Sequence, residues 1–348
     1  CVKLSPPELT LIRHLAMYLP KKLWLSRLVK HTANLDPRTR KVVVLLSSDT
    51  EFDPPPEDGT WTKRSTRSLL DGLPRFLGLC GKFGIPATLF CEGKLVAELP
   101  DLFRELARHH EIGCHSFSHE WLGTRPPAWW IPHKEEFAVL PTDEKAMVLK
   151  RASESIEKTI GIKPRSFKAP FNSVDHPSTL ALLDQVGFET DSSLPCYNTE
   201  SFINPLRPTP TRHASARDLW VEDRMDLIEI PFMIRPWPLL LHPFDVREEV
   251  VDTISRGMKL ALESVDIQCR IDYLSGREFS VVHVTSHPWE FSEIGPWGGR
   301  GRVNADRLAR YLSELSSLYE VQFLTVTEFA KMWENECCRW HSGAGSSR

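Results

Sequence analysis

The sequence predicts an α/β fold, a distorted (β/α) barrel of seven or eight mostly parallel strands. Three observations lead there. From Lys41 onward, short apolar runs alternate with segments of helical periodicity, the pattern of repeated βα units. Seven or eight such units follow one another, which suits a complete or distorted barrel better than a doubly wound sheet. Neither a GxGxxG nor a Walker loop marks a nucleotide-binding sheet. The 348 residues are ample for a sizeable core.

Taken in order, residues 8–30 are apolar and basic and are broken by Pro20. They read as an amphipathic helical extension, packed across the bottom of the domain or lying against a membrane face. Strands are expected at 42–47, 86–91, 111–115, 165–168, 188–191, 227–232, 280–286 and 321–325. Helices are expected near 66–83, 95–109, 142–160, 176–186, 247–265, 304–317 and 327–335. Two long irregular segments interrupt the rhythm, Trp121 to Pro141 and residues 195–225, and loops of that length usually wall a functional cleft. Trp129 and Trp130 in the first of them, with Trp61, Trp289 and Trp297 elsewhere, offer indole faces to a sugar ring. The same side chains serve equally as anchors of the loops. The expected organisation is an extension over 1–40, a catalytic barrel over 41–336 and a disordered tail over 337–348.

Composition narrows the class. A net charge of -3 and a pI near 6.5 argue against nucleic acid as a partner. Mean hydropathy is -0.27, and no apolar run reaches the roughly 20 residues that span a bilayer. Of eight cysteines, Cys80, Cys91, Cys114 and Cys269 sit inside apolar segments, as reduced buried thiols do. A reducing, cytoplasmic compartment is therefore expected. The chain starts at Cys1 rather than Met, so the lack of a signal peptide carries little weight.

The chemistry gathers where strands end. The strand beginning at Glu111 runs into His115 and His119, two imidazoles four residues apart that can point at one small volume. With 13 histidines in the chain, such a pair alone is as well explained by chance. Its anionic complement lies upstream, where an apolar run ends in Asp49 and Glu51. Further strand ends supply Lys168-Ala169-Pro170-Phe171, Asp191 and His287-Pro288-Trp289. In a βα barrel these ends form one face, so five strands deliver ionisable groups to it. His283, four residues before His287, is a weaker candidate and reads as a buried hydrogen-bonding residue.

In this order, Asp-x-Glu, His-Ser-x-x-His, Lys-Ala-Pro-Phe, Asp-Ser-Ser and His-Pro-Trp resemble the NodB-like polysaccharide deacetylases, carbohydrate esterase family 4. The likeness spans roughly 41–335. It implies one divalent metal ion, commonly zinc, held by Glu51, His115 and His119. It implies Asp49 as the general base, His287 as the general acid and Asp191 as the group orienting that imidazole. The Phe171 backbone N–H would share the developing oxyanion. Pro170, Trp289, Trp129 and Trp130 would meet the substrate, an N-acylated amino sugar or glycan, lipid-linked in one version. The implied reaction is metal-dependent hydrolysis of an N-acyl amide. Alternatives are a linear or cyclic amide hydrolase of the allantoinase kind and a weakly active sugar-binding relic. Two departures stand out. The usual paired aspartates are replaced by Asp49-Thr50-Glu51, which leaves an exchange of the carboxylate roles open. Lys168 replaces an arginine whose planar fork an ammonium cannot copy.

Overall fold

The computed structural model describes residues 29–54, 64–123, 139–174, 178–193, 211–214, 224–232, 261–263, 265–270, 272–273, 278–295 and 299–343. Strands β1 (Lys41–Thr50), β2 (Thr88–Cys91), β3 (Glu111–Cys114), β4 (Ser166–Phe167), β5 (Thr190–Asp191), β6 (Thr211–Ala214), β7 (Arg224–Glu229), β8 (Phe279–Ser286) and β9 (Glu320–Leu324) form one sheet. Its order is β6-β7-β5-β4-β3-β2-β1-β8, with β9 also on β1. Every described pairing is parallel except β6 with β7. The expected distorted barrel of mostly parallel strands is the architecture found. The eight expected strands are present, several of them shorter than their apolar runs. The added strand β6 lies in the polar segment taken for a loop, where Thr211-Arg-His-Ala carries no apolar alternation.

Strand β1 is the hub. It pairs with β8 over Lys41–Ser48, with β9 over Lys41–Leu45 and with β2 over Ser47–Thr50. A strand has two edges, so β9 and β2 share one of them end to end while β8 takes the other. Side chains alternate between two apolar clusters. Val42, Val44 and Leu46 face one side with the helices, whereas Val43 and Leu45 face the other with Phe90, Ile228 and Phe279. This period of two, buried on both faces, explains the uninterrupted Val-Val-Val-Leu-Leu run.

Helices α1 (Arg67–Phe83), α2 (Gly93–Glu98), α3 (Pro100–Leu106), α4 (Thr142–Ile160), α5 (Ser178–Val186), α6 (Gly301–Leu318) and α7 (Val326–Gly343) surround the sheet. The single helix expected over 95–109 is two, because Pro100 has no N–H to donate and moves Leu99 out of the helical region, to φ -124° and ψ 54°. Helix α7 crosses the N-terminal ends of the strands. Val326 N–H donates to Thr88 Oγ1 (2.9 Å), and Thr327 N–H to Glu111 Oε2 (3.0 Å). Phe329 and Ala330 join the second apolar cluster there. The helix continues to Gly343, past Cys337, where the sequence reading placed the start of a disordered tail. Among the described residues no helix is long and apolar enough to cross a membrane.

Candidate active site

Asp49, Glu51 and Asp53 alternate along the C-terminal end of β1, and each carboxylate has a different task. Asp53 accepts from the backbone N–H of Ser68 (2.9 Å) and Leu69 (2.8 Å), which fastens the start of α1 to the strand exit. Glu51 turns toward the loop after β3. Its Oε2 lies 2.5 Å from His119 Nε2 and 3.4 Å from His115 Nε2. One ligand atom from each of the three lies within 4.8 Å of the others, and all three residues are buried.

The His115–His119 turn is held in an uncommon conformation. Ser116 (φ 66°) and His119 (φ 70°) occupy the left-handed region, as do Phe171 (φ 55°) and Asn172 (φ 57°) after β4. These are all the non-glycine residues of that kind among the described ones, and they fall in two site loops. Glu120 stabilises the first loop. Its carboxylate accepts from the N–H of Phe117 (3.1 Å) and Ser118 (2.9 Å) and from the hydroxyls of Ser116 and Ser118. Behind it, Glu92 pairs with Arg64 (2.6 Å), accepts from Phe52 N–H (3.0 Å), and Arg64 reaches Ser118 O (3.4 Å). Burial pushes Glu92 up to about 7 against the pull of Arg64.

The donor set fits a divalent metal. His115 Nδ1 lies 2.7 Å from the Lys168 carbonyl, which can only accept, so Nδ1 is the donor there and Nε2 is the nitrogen that faces Glu51. Burial drives His119 down to about 4, a neutral imidazole at physiological pH. For Glu51 burial works upward, yet His119 and His115 hold the carboxyl well below the ordinary value. Two imidazoles and a carboxylate converging in a buried space form a borderline-soft donor set of the kind zinc takes.

Asp49 stands beside this cluster. Its Oδ2 is ion-paired to Lys168 Nζ and lies 3.7 Å from His287 Nε2. Burial would raise the Asp49 carboxyl, but Lys168, His115 and His287 together keep it below the usual range. Lys168 is buried, its ammonium 4.7 Å from the centre of the Phe232 ring, so it is an internal charge rather than a surface one. His287 Nε2 also lies 3.9 Å from Glu51 Oε1. Five of the sequence-predicted residues (Asp49, Glu51, His115, His119 and His287) thus meet at one point, with Lys168 bonded to the first.

Other expectations are corrected. Asp191 does not engage His287: its carboxylate accepts from Ser193 Oγ (2.5 Å) and shares a hydrogen bond with Glu229, and burial lifts it to about 6. The carboxylate against His287 is Glu290, whose Oε2 is 3.7 Å from Nδ1. Trp289 is 4% exposed and its ring stacks on His287 at 4.5 Å, so it offers no face to a sugar. Pro170 is buried as well. Phe171 packs its ring edge-on to His119 at 4.3 Å. His283 makes the buried hydrogen bond expected of it, 2.8 Å from Ser47 Oγ. Trp61, Trp129, Trp130 and Trp297, and residues 8–28, lie outside the described residues. Glu92, Glu120 and Glu290 were missed. Each is an acid within three residues of a predicted site residue or of a strand end, the one signal that would have raised them.

Residues 58–190 match the family model for polysaccharide deacetylase. Over that stretch, a little over a third of the chain, the sequence is similar to the polysaccharide deacetylases. The match holds His115, His119, Lys168 and Phe171, while Asp49 and Glu51 precede it and His287 follows. Among curated proteins, the chain is 31% identical over 102 residues to the uncharacterized protein YlxY of Bacillus subtilis. That alignment covers 29% of this chain and 27% of the relative. It is 29% identical over 124 residues to the peptidoglycan deacetylase of Helicobacter pylori, 35% and 37% of the two lengths. The chain therefore spans well under half the length of these relatives. In fold it is similar to a Mycobacterium smegmatis structure described as a polysaccharide deacetylase (TM-score 0.55, 19% identity, 86% of this chain and 92% of that one). It is also similar in fold to Puue allantoinase (TM-score 0.56, 14% identity, 84% and 90%). The deacetylase barrel is the shared architecture.

Proposed function

We propose that the chain is a metal-dependent hydrolase that removes an N-acyl group, foremost N-acetyl, from an amino sugar of a glycan. The observation that carries this reading is the convergence of Glu51, His115 and His119 beside Asp49 and His287. A zinc-like ion held by the first three would supply Lewis acidity toward water and the amide carbonyl. Asp49, kept ionised by Lys168, takes the proton of the attacking water as its oxygen bonds to the carbonyl carbon. His287 Nε2 delivers a proton to the amide nitrogen as the C–N bond breaks, so that a neutral amine departs rather than its anion. The backbone N–H of Phe171 is assigned to the oxyanion.

The family match and the peptidoglycan deacetylase relative support a glycan substrate, and the Asp-x-Glu spacing keeps the cyclic-amide alternative as an outcome of the test. Zinc-loaded protein would be incubated with an N-acetylglucosamine pentamer, peptidoglycan fragments and allantoin. Acetate and free amine released from the first two are expected. Ring opening of allantoin with no acetate from either glycan would replace this reading with the other.

A further inference from the structure

The Nδ1 edge of His287 faces a carboxylate that the resemblance does not use. We propose that Glu290 is the positioning residue of His287, orienting its imidazole in the reaction proposed above and selecting the tautomer with Nδ1 protonated. The inference rests on that reading for its catalytic meaning.

Glu290 is 3% exposed, and its Oε2 accepts the His287 backbone N–H at 2.8 Å. The same oxygen lies 3.7 Å from His287 Nδ1, too long for a hydrogen bond but close enough for its charge to act on the ring. Nδ1 is itself buried, and among the described residues no other acceptor lies within hydrogen-bond distance of it. On the opposite side, Nε2 faces Asp49 (3.7 Å) and Glu51 (3.9 Å). The ring face rests on Trp289 at an interplanar angle of 26°. Face and one edge are thus flanked by two consecutive residues of a single 3-10 turn, and Nε2 is aimed at the reaction volume. The turn is in turn secured from α6, where Asn304 Nδ2 donates to Glu290 O (2.7 Å). Asp191, the orienting group expected from the resemblance, is occupied with Ser193 and Glu229.

A plain turn-capping role for Glu290 makes a different prediction. Glu290→Gln retains an acceptor oxygen for the backbone N–H and nearly the same shape, and removes only the charge. The test uses full-length protein labelled with nitrogen-15 histidine, with wild type and variant compared at one fixed pH. The His287 resonances are assigned by their loss in His287→Gln. A wild-type ring protonated on Nδ1, moving toward the Nε2 form in Glu290→Gln, is expected. Unchanged ring nitrogens in the variant would overturn the proposal. On the N-acetylglucosamine pentamer, kcat of zinc-loaded Glu290→Gln should fall about 10- to 100-fold with KM little altered. In a His287→Ala background the same change should add nothing. A loss that multiplies with His287→Ala would also overturn it. If the wild type does not hydrolyse the pentamer, the substrate reading fails, while the tautomer measurement still decides the role of Glu290.

Discussion

Lys168 Nζ is ion-paired to Asp49 Oδ2 inside the protein, with neither side chain more than 7% exposed. The lysine stands where the resemblance leads one to expect an arginine. It keeps the charge and gives up the fork: Asp49 Oδ1 is left to Thr285 Oγ1 at 3.4 Å. The ammonium therefore holds Asp49 in its ionised form, and the walls of the site, more than a bidentate clamp, fix its direction.

Removing that ammonium leaves a buried carboxylate without its counter-charge. Lys168→Met should destabilise the fold by about 3–5 kcal/mol at neutral pH, read by chemical denaturation. The Asp49 carboxyl is held below its ordinary 3.8, so the pair contributes above the unfolded value and is lost as pH falls through the lower folded one. The gap between wild type and Lys168→Met should accordingly close on acidification. A gap indifferent to pH would contradict the pairing.

The ligand assignment is read from metal content. His115→Ala and His119→Ala should each lose bound zinc after gel filtration, measured by elemental analysis. Asp49→Asn should retain it and lose turnover by about 100- to 10,000-fold. Should Asp49→Asn empty the site while Glu51→Gln keeps it filled, the two carboxylates have exchanged roles.

Close packing behind His287 depends on a glycine. A Cβ at Gly72 of α1 would fall 1.9 Å from Pro288 O, in the turn that carries His287. Gly72→Ala should cost about 1–3 kcal/mol through overpacking and reduce turnover as the turn shifts. Gly78 lies in the same helix with nothing within 4 Å of an added Cβ, and Gly78→Ala should instead gain up to about 1 kcal/mol. Equal thermal shifts in the two variants would argue against the close approach.

Asp191 provides a pH-dependent test. Burial, opposed by its bonds to Glu229 and Ser193, raises it from 3.8 to about 6. A raised carboxyl stabilises the fold fully below the unfolded value and loses that contribution as pH rises through about 6. Asp191→Asn should therefore melt higher than wild type above that pH, with the advantage vanishing near 4. Its turnover should change little. A collapse of turnover with zinc retained would return Asp191 to the service of His287.

Much of this was legible in the letters because strand ends in a parallel barrel share a face. The period-two burial of β1 and the ordered set from Asp49 to His287 named, without coordinates, five side chains that the fold brings together. What stayed hidden depended on rotation about a few backbone bonds. Nothing in His-Pro-Trp-Glu says that the indole is turned inward onto the imidazole, or that Glu290 folds back while Asp191 turns toward Glu229. The split at Pro100 was within reach of propensity alone, whereas β6, polar and antiparallel, exists only because β7 presents an edge to it.

The three-way pairing of β1 also bears on how the protein is made. Val44 needs Val282 on one edge and Phe323 on the other. A nascent chain with only its first half outside the ribosome cannot yet seat the strand that aims Asp49 and Glu51. These carboxylates must wait for segments synthesised more than two hundred residues later, and closing such long loops is slow. Until then the Val-Val-Val-Leu-Leu stretch is bare, a natural station for a chaperone, and any ion that Glu51, His115 and His119 take would be captured among the last events of maturation.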